Sequence, residues 1–370
     1  VNLRGLAKAG DGISLPKLRL GYSSPAAEGM APWLTDSLDI LIRKGLDSGA
    51  FPGCQLLVAK NGNIVYDKSF GRLSTAKGSA PVNGRTAYDL ASVSKALGTL
   101  PGVMKAYDMG LLALDDKLGK LIPEISDPAK RALTVRQLLF HETGMPASLN
   151  MFDAMIDTAS YSGKLTTPRP DRTHGIKIQR RVYGHNSARL RRDILGRERS
   201  AKFPVEIAKG IYGGRSTYDT LMRRIYDIPL RATKSYNYSC LNFCLLMDVE
   251  QRVTGKPHDV FVGEEIFGPL GAYRTGYRPH SGIGAANVAP TEYDSFLRRQ
   301  TVDGYVHDEL AAFSGGVQGN AGLFACAGDL AKICQMILNG GSYGGRQIVS
   351  LKTAELFATE KSPTCRRGLG

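Results

Sequence analysis

Tyr88-Asp89-Leu90-Ala91-Ser92-Val93-Ser94-Lys95 stands directly before a segment, Ala96 to Gly110, whose apolar residues recur at helical spacing. On a helix, Ser92 and Lys95 fall one turn apart on the same face, so a hydroxyl meets an amine. At a helix start the serine also gains the positive end of the dipole and backbone N–H groups with no intrahelical acceptor. An amine in that position can take the serine proton, and the serine N–H can donate to an oxyanion. The spelling Ser-x-x-Lys selects nothing by itself, because it occurs three times. Ser14 to Lys17 contains Pro16 and lies in an N-terminal extension, and Ser74 to Lys77 falls in a loop after a hairpin. Only Ser92 to Lys95 opens a long amphipathic segment. That context sets Ser92 apart from an ordinary helix start.

The flanks supply the rest of the plan. Leu34, Leu38, Leu41, Ile42 and Leu46 recur at helical spacing between Ala31 and Phe51, and Gly49 and Pro52 end that helix. Two strand-like runs, Gly53 to Lys60 and Asn63 to Gly71, flank Asn61-Gly62, a strong hairpin signal. The spacing predicts a helix through Thr86–Gly110 with a kink at Pro101. A second helix is predicted over Leu133–Met145, stopped by Gly144 and Pro146, and helical patterning resumes from Tyr236. Helix, hairpin and helix thus form one lobe interrupted by an irregular insertion.

Composition excludes several classes. With 370 residues, 42% hydrophobic, the chain can bury a core as two lobes or as one domain with a large insertion. No apolar run approaches the roughly 20 residues of a membrane-spanning helix. The opening, VNLRGLAKAG, has neither an initiator Met nor an apolar signal core, and is expected to derive from something longer. The six cysteines (Cys54, Cys240, Cys244, Cys326, Cys334, Cys365) show no C-x-x-C spacing and read as free thiols. His307-Asp308-Glu309 are adjacent and do not converge as metal ligands, so no metal is expected. The net charge of +14 is concentrated: Tyr161 to Ser235 holds 18 Lys or Arg against 6 Asp or Glu. Such a face attracts anions. No nucleic-acid-binding signature accompanies it, so nucleic acid is not the expected partner.

YDLASVSK resembles the first motif of the serine β-lactamase and penicillin-binding-protein superfamily, in its class C-like branch of hydrolases. LTVRQLLFHETGM resembles that branch's helix after the nucleophile, Tyr238-Ser239-Cys240 its Tyr-x-Asn motif, and GYVHDELAAFSGGVQGNAGLFACAGDLAK a glycine-rich segment of the same branch. The resemblance implies an α+β fold: an antiparallel sheet flanked by helices, with a mostly helical inserted region. It implies Ser92 as the acylated nucleophile, Lys95 as its hydrogen-bonded partner, Tyr238 as acid-base group, and no cofactor. Cys240 falls where the family's Asn or Asp binds substrate, and a thiol is a weak donor and acceptor. The family's third motif has no counterpart. Lys352-Thr353-Ala354 opens an apparent helix, and His141-Glu142-Thr143-Gly144 comes too early. The chain stops at Gly370 where relatives continue, so the last strands are expected to be missing.

These resemblances imply a linker over 1–31, a core over 32–145 and 236–370, and a basic insertion over 146–235. The linker is similar to the junction in Bacteroidetes proteins that join a family 3 glycoside hydrolase, β-N-acetylhexosaminidase-like, to such a domain. That places the expected parent outside the cytoplasm, near cell-wall glycan. Two functions follow: a serine hydrolase acting on an ester, a D-amino-acid peptide or a β-lactam, or an idle domain of the same fold that binds cell-wall material or an acidic partner.

Overall fold

The computed structural model describes residues 18–282, 287–364 and 368–370. Ser14 to Lys17, Cys365 and most of the expected linker lie outside them. The rest of that linker joins the fold, because Gly21–Tyr22 pairs in parallel with Asn63–Ile64. The hairpin forms as its sequence dictates. Gly53–Lys60 and Asn63–Gly71 run antiparallel from Gly53 opposite Gly71 to Lys60 opposite Asn63. Asn61 (φ 53°) and Gly62 (φ 74°) make the turn, both left-handed as a type I′ turn requires. The helix Leu34–Asp47 is tied to this sheet at Asp39, which accepts from Tyr66 Oη at 2.6 Å and pairs with Lys68 at 2.8 Å.

A second sheet carries the site. Leu323–Ala325 lies between Gly276–Tyr277 and Tyr88–Asp89, antiparallel to both, and is fully buried. Behind it runs the helix Cys240–Thr254, in which every residue from Leu241 to Glu250 is buried. A helix apolar nearly all round belongs in the middle of a core. It starts at Cys240 rather than Tyr236, because the Ser239 hydroxyl caps it by accepting from Leu241 N–H.

The expected kink at Pro101 takes another form. Helical backbone continues from Val93 through Asp108, but Lys95–Thr99 is a π turn, with Leu100 N–H reaching back to Lys95 O. Proline lacks an N–H and crowds the carbonyl four residues back, and a widened turn accommodates both within a continuous helical run. The helix predicted over Leu133–Met145 is shorter than expected. A capping box of Thr134 and Gln137 starts it, and it covers Val135–Phe140 before His141 turns left-handed at φ 56°.

The insertion is not mostly helical. Its helices are Met151–Met155, one turn at Thr158–Ser160, and Arg215–Asp227. The remainder is turns and short strands, chiefly the hairpins Ile176–Gln179 with Val182–Gly184 and Val205–Ala208 with Ile211–Gly213. Ile176-Lys-Ile-Gln and Val205-Glu-Ile-Ala alternate with period two, and Pro168, Pro170 and Pro204 break any helix between them. Phe152 meets Phe296 edge-on at 5.3 Å and joins this region to the core. Lys130, fully buried, donates to the carbonyls of Ile225, Tyr226 and Ile228 and so holds the end of Arg215–Asp227.

Candidate active site

The Asp89 carboxylate shapes the turn before the serine. It accepts from Ala91 N–H at 2.8 Å and from His307 N–H at 2.7 Å, while burial pushes the carboxyl above its ordinary value. Ala91 adopts φ 44°, a left-handed conformation rarely taken by alanine, and so turns the chain sharply into the helix. Ser92 is left exposed at the corner. Among the described residues its N–H has no hydrogen-bond acceptor, the state in which it can serve an oxyanion.

Three contacts lock the serine's helix onto the glycine-rich segment. Leu323 N–H donates to Ser94 Oγ at 3.0 Å, Leu90 N–H to Leu323 O at 3.0 Å, and Thr99 Oγ1 to Gly319 O at 2.9 Å. Lys95 is only 4% exposed. Its Nζ donates to Ser92 Oγ at 2.9 Å and to Asn320 O at 2.9 Å. The amine is therefore aimed from behind by a backbone carbonyl.

Tyr238 arrives from the other side. Its ring centroid lies 5.2 Å from Lys95 Nζ, and the residue is 39% exposed. The loop that carries it is zipped to the turn after the Val135–Phe140 helix. Asn237 N–H donates to His141 O (2.9 Å), Ser239 N–H to His141 Nδ1 (3.1 Å), Ser239 Oγ to Pro146 O (2.6 Å) and Cys240 N–H to Ala147 O (2.8 Å). Ser92, Lys95 and Tyr238 thus share one place. Cys240, half-buried, lines an adjoining cavity of about 240 Å³ with Asn150, Asp308, Glu309 and Asn320. The Asn150 side chain is engaged in capping the Met151–Met155 helix, and Asn320 Oδ1 faces Cys244 Sγ at 3.5 Å. Larger cavities of about 520 and 670 Å³ are not lined by Ser92, Lys95 or Tyr238.

The family model described as Beta-lactamase matches residues 38–370. The chain belongs to the beta-lactamase family. It is 29% identical over 375 residues to a protein of Escherichia coli (strain K12) provisionally named D-alanyl-D-alanine carboxypeptidase, covering 95% of this chain and 74% of that protein. The fold is similar to the octameric penicillin-binding protein homologue from Pyrococcus abyssi, with TM-score 0.59 and 21% identity over 90% of this chain and 63% of that one. It is also similar to a class C beta lactamase from Rhodobacter sphaeroides, with TM-score 0.59 and 15% identity over 90% and 74%. The chain is a hydrolase of the serine beta-lactamase family with mixed α and β content, as the motifs implied.

Two parts of the candidate site escaped the sequence. One is the pair of carbonyls at Gly319 and Asn320, since a backbone acceptor has no residue signature. The other is the His141–Ala147 turn, which was set aside as misplaced for a third motif. Its signal was the tight spacing of His141, Gly144 and Pro146. Lys352 and Thr353 lie in the helix Leu351–Thr359 capped by Ser350, so that spelling is structural. Asp308 likewise caps Glu309–Phe313, and His307 Nε2 contacts Glu292 at 2.7 Å.

Proposed function

We propose that Ser92 is the acylated nucleophile of this hydrolase, with Lys95 and Tyr238 as its acid-base pair. The supporting observation is Lys95 Nζ held between Ser92 Oγ and Asn320 O at 2.9 Å each, below the Tyr238 ring. Ser92 Oγ attacks the acyl carbonyl while its proton leaves toward the Lys95–Tyr238 pair. The same pair returns a proton to the departing amine or alkoxide, and water then releases the acyl group. Ser92 N–H supplies one oxyanion donor. The substrate class is a D-alanyl peptide of the cell wall, an ester or a β-lactam, the first favoured by the name of the Escherichia coli relative. Action on wall peptide would place the protein outside the cytoplasm, and residues 1–31 would then link it to a family 3 glycoside hydrolase domain. Incubation with a fluorophosphonate and with a β-lactam, followed by intact-mass measurement, should show one adduct that Ser92→Ala abolishes. Absence of any Ser92-dependent adduct with either reagent refutes the assignment.

A second function has one feature in its favour. Arg169, Lys177, Arg180 and Arg181, all exposed, line a groove of about 310 Å³ with Tyr183 and no carboxylate. Four cations around one concavity suit an anionic wall polymer or acidic partner. An idle domain binding there is the reading that takes over if Ser92 is never labelled.

A further inference from the structure

The chemistry proposed above leaves His141-Glu142-Thr143-Gly144 without a task. The imidazole of His141 is fully buried and makes contact with the Tyr238 loop at every level. Its Nδ1 accepts from Ser239 N–H at 3.1 Å, and its carbonyl accepts from Asn237 N–H at 2.9 Å, so the two residues flanking Tyr238 both hang on it. The ring lies tilted against the Tyr238 ring at 4.8 Å and against Phe243 at 5.5 Å. Asn242 Nδ2 stands 3.1 Å from the same Nδ1, and Asn242 Oδ1 accepts from Thr143 Oγ1 at 2.8 Å, which closes the cluster.

The backbone is fixed as firmly. His141 is left-handed at φ 56°, a state uncommon for residues other than glycine. Gly144 (φ 75°) continues the turn, and a Cβ there would stand 2.8 Å from Arg231 O. Arg231 N–H donates to Gly144 O at 2.8 Å, and Asn237 Nδ2 donates to Met145 O at 2.8 Å. These bonds tie the turn to the segment from Arg231 to Asn237.

We infer that His141 is a positioning residue for Tyr238: its Nδ1 and carbonyl set the height of the tyrosine, and its ring sets the tilt. This rests on the acid-base assignment of Tyr238 made above. Tyr238 is 39% exposed, and the ring packed against it is that of His141 at 4.8 Å, with the Lys95 ammonium 5.2 Å from its centroid. Misplacing a catalytic group by about 1 Å can cost 10²-fold in rate.

Two substitutions preserve the left-handed backbone and separate the causes. Glycine accepts φ near 56° without strain and removes both ring and acceptor, whereas asparagine tolerates it and places Oδ1 where Nδ1 stood. The acylation rate of Ser92 by the reagent that labels wild type, and kcat and KM where turnover occurs, are measured for His141→Gly, His141→Asn, Tyr238→Phe and His141→Gly/Tyr238→Phe. Folding is checked separately by urea denaturation. The expected result is a loss of about 10²-fold in acylation rate and kcat for His141→Gly with KM within about twofold. His141→Asn should recover to within about threefold, and the double variant should be no slower than Tyr238→Phe. His141→Gly at wild-type rate, His141→Asn as slow as His141→Gly, or fully additive losses in the double variant would each overturn the inference. A wild type with no Ser92 adduct, or Tyr238→Phe equal to wild type, overturns the earlier assignment and this one together. A labelled wild type with uncoupled His141 overturns this one alone.

Discussion

Gly319→Ala tests whether a backbone carbonyl aims the lysine. A Cβ at Gly319 would lie 1.9 Å from Phe243 O, 2.7 Å from Phe243 C and 2.9 Å from Met247 Cβ. Both neighbours belong to the buried Cys240–Thr254 helix, which cannot yield, so the glycine-rich turn at Gly319 must retreat. Reaching ordinary contact, about 3.4 Å, takes about 1.5 Å of movement. Gly319 O and Asn320 O move with it, and they are the acceptors of Thr99 Oγ1 and Lys95 Nζ, each now at 2.9 Å. The lysine contact would stretch to about 4.4 Å, past any hydrogen bond. Overpacking of this kind costs about 1–3 kcal/mol of stability, and the loss of aim about 10²-fold in acylation rate. Urea denaturation reads the first quantity, and timed mass spectrometry of the Ser92 adduct reads the second. Gly328→Ala is the control, because a Cβ there meets nothing within 4 Å, and within the helix Ala327–Leu338 it should leave the acylation rate unchanged and not lower stability. A folded Gly319→Ala protein that acylates at the wild-type rate would refute the role given to the Asn320 carbonyl.

Two further outcomes concern stability. Tyr277 Oη contacts His258 Nε2 at 2.9 Å, and His258 Nδ1 stands 2.8 Å from Glu250 Oε2, all three residues being buried. Tyr277→Phe leaves that buried ring nitrogen unpaired and should cost about 1–3 kcal/mol in urea denaturation; an unchanged midpoint would show the contact to be idle. Asp116 accepts from Ala113 N–H at 2.8 Å and from Lys120 Nζ at 2.9 Å, and the backbone N–H foremost, then the ammonium, hold its carboxyl below the ordinary value. A lowered folded value means stability that is present above the unfolded value of about 4 and is lost as pH falls through the folded one. Asp116→Asn should therefore lower the urea midpoint at neutral pH, with the gap to wild type closing below about pH 4; a gap that persists unchanged in acid would contradict the assignment.

Local pattern made some elements legible and left others hidden, for reasons specific to each. The Asn61-Gly62 hairpin was readable because both turn residues need positive φ and announce it by type. Ser92 with Lys95 was readable because a three-residue spacing on a helix brings the two together whatever surrounds them, and Tyr238 was placed by resemblance to a motif. The end of the Val135–Phe140 helix was not readable. His141 leaves it because partners about a hundred residues later, Asn237 and Ser239, reward the left-handed turn, and no local window contains them. The mostly helical insertion was implied by resemblance alone, whereas the residues themselves read as irregular, and their short alternating runs became strands. Gly319 and Asn320 act through carbonyls that every residue type possesses, so only their position in space identifies them.

The π turn at Lys95–Thr99 separates the reactive end of its helix from the buried end in register. One extra residue per turn rotates everything before it by about 100° relative to an uninterrupted helix. Val103, Met104 and Ala106 are buried in the core beyond the turn, while Lys95 at its start is buried against Ser92, which stands just before the helical run begins at Val93. Mechanically the turn is a swivel, pinned by Pro101 on the core side and by the Ser94–Leu323 and Thr99–Gly319 bonds on the sheet side. The serine–lysine pair thus takes its aim from the glycine-rich segment, through Ser94 to Leu323, Thr99 to Gly319 and Lys95 to Asn320.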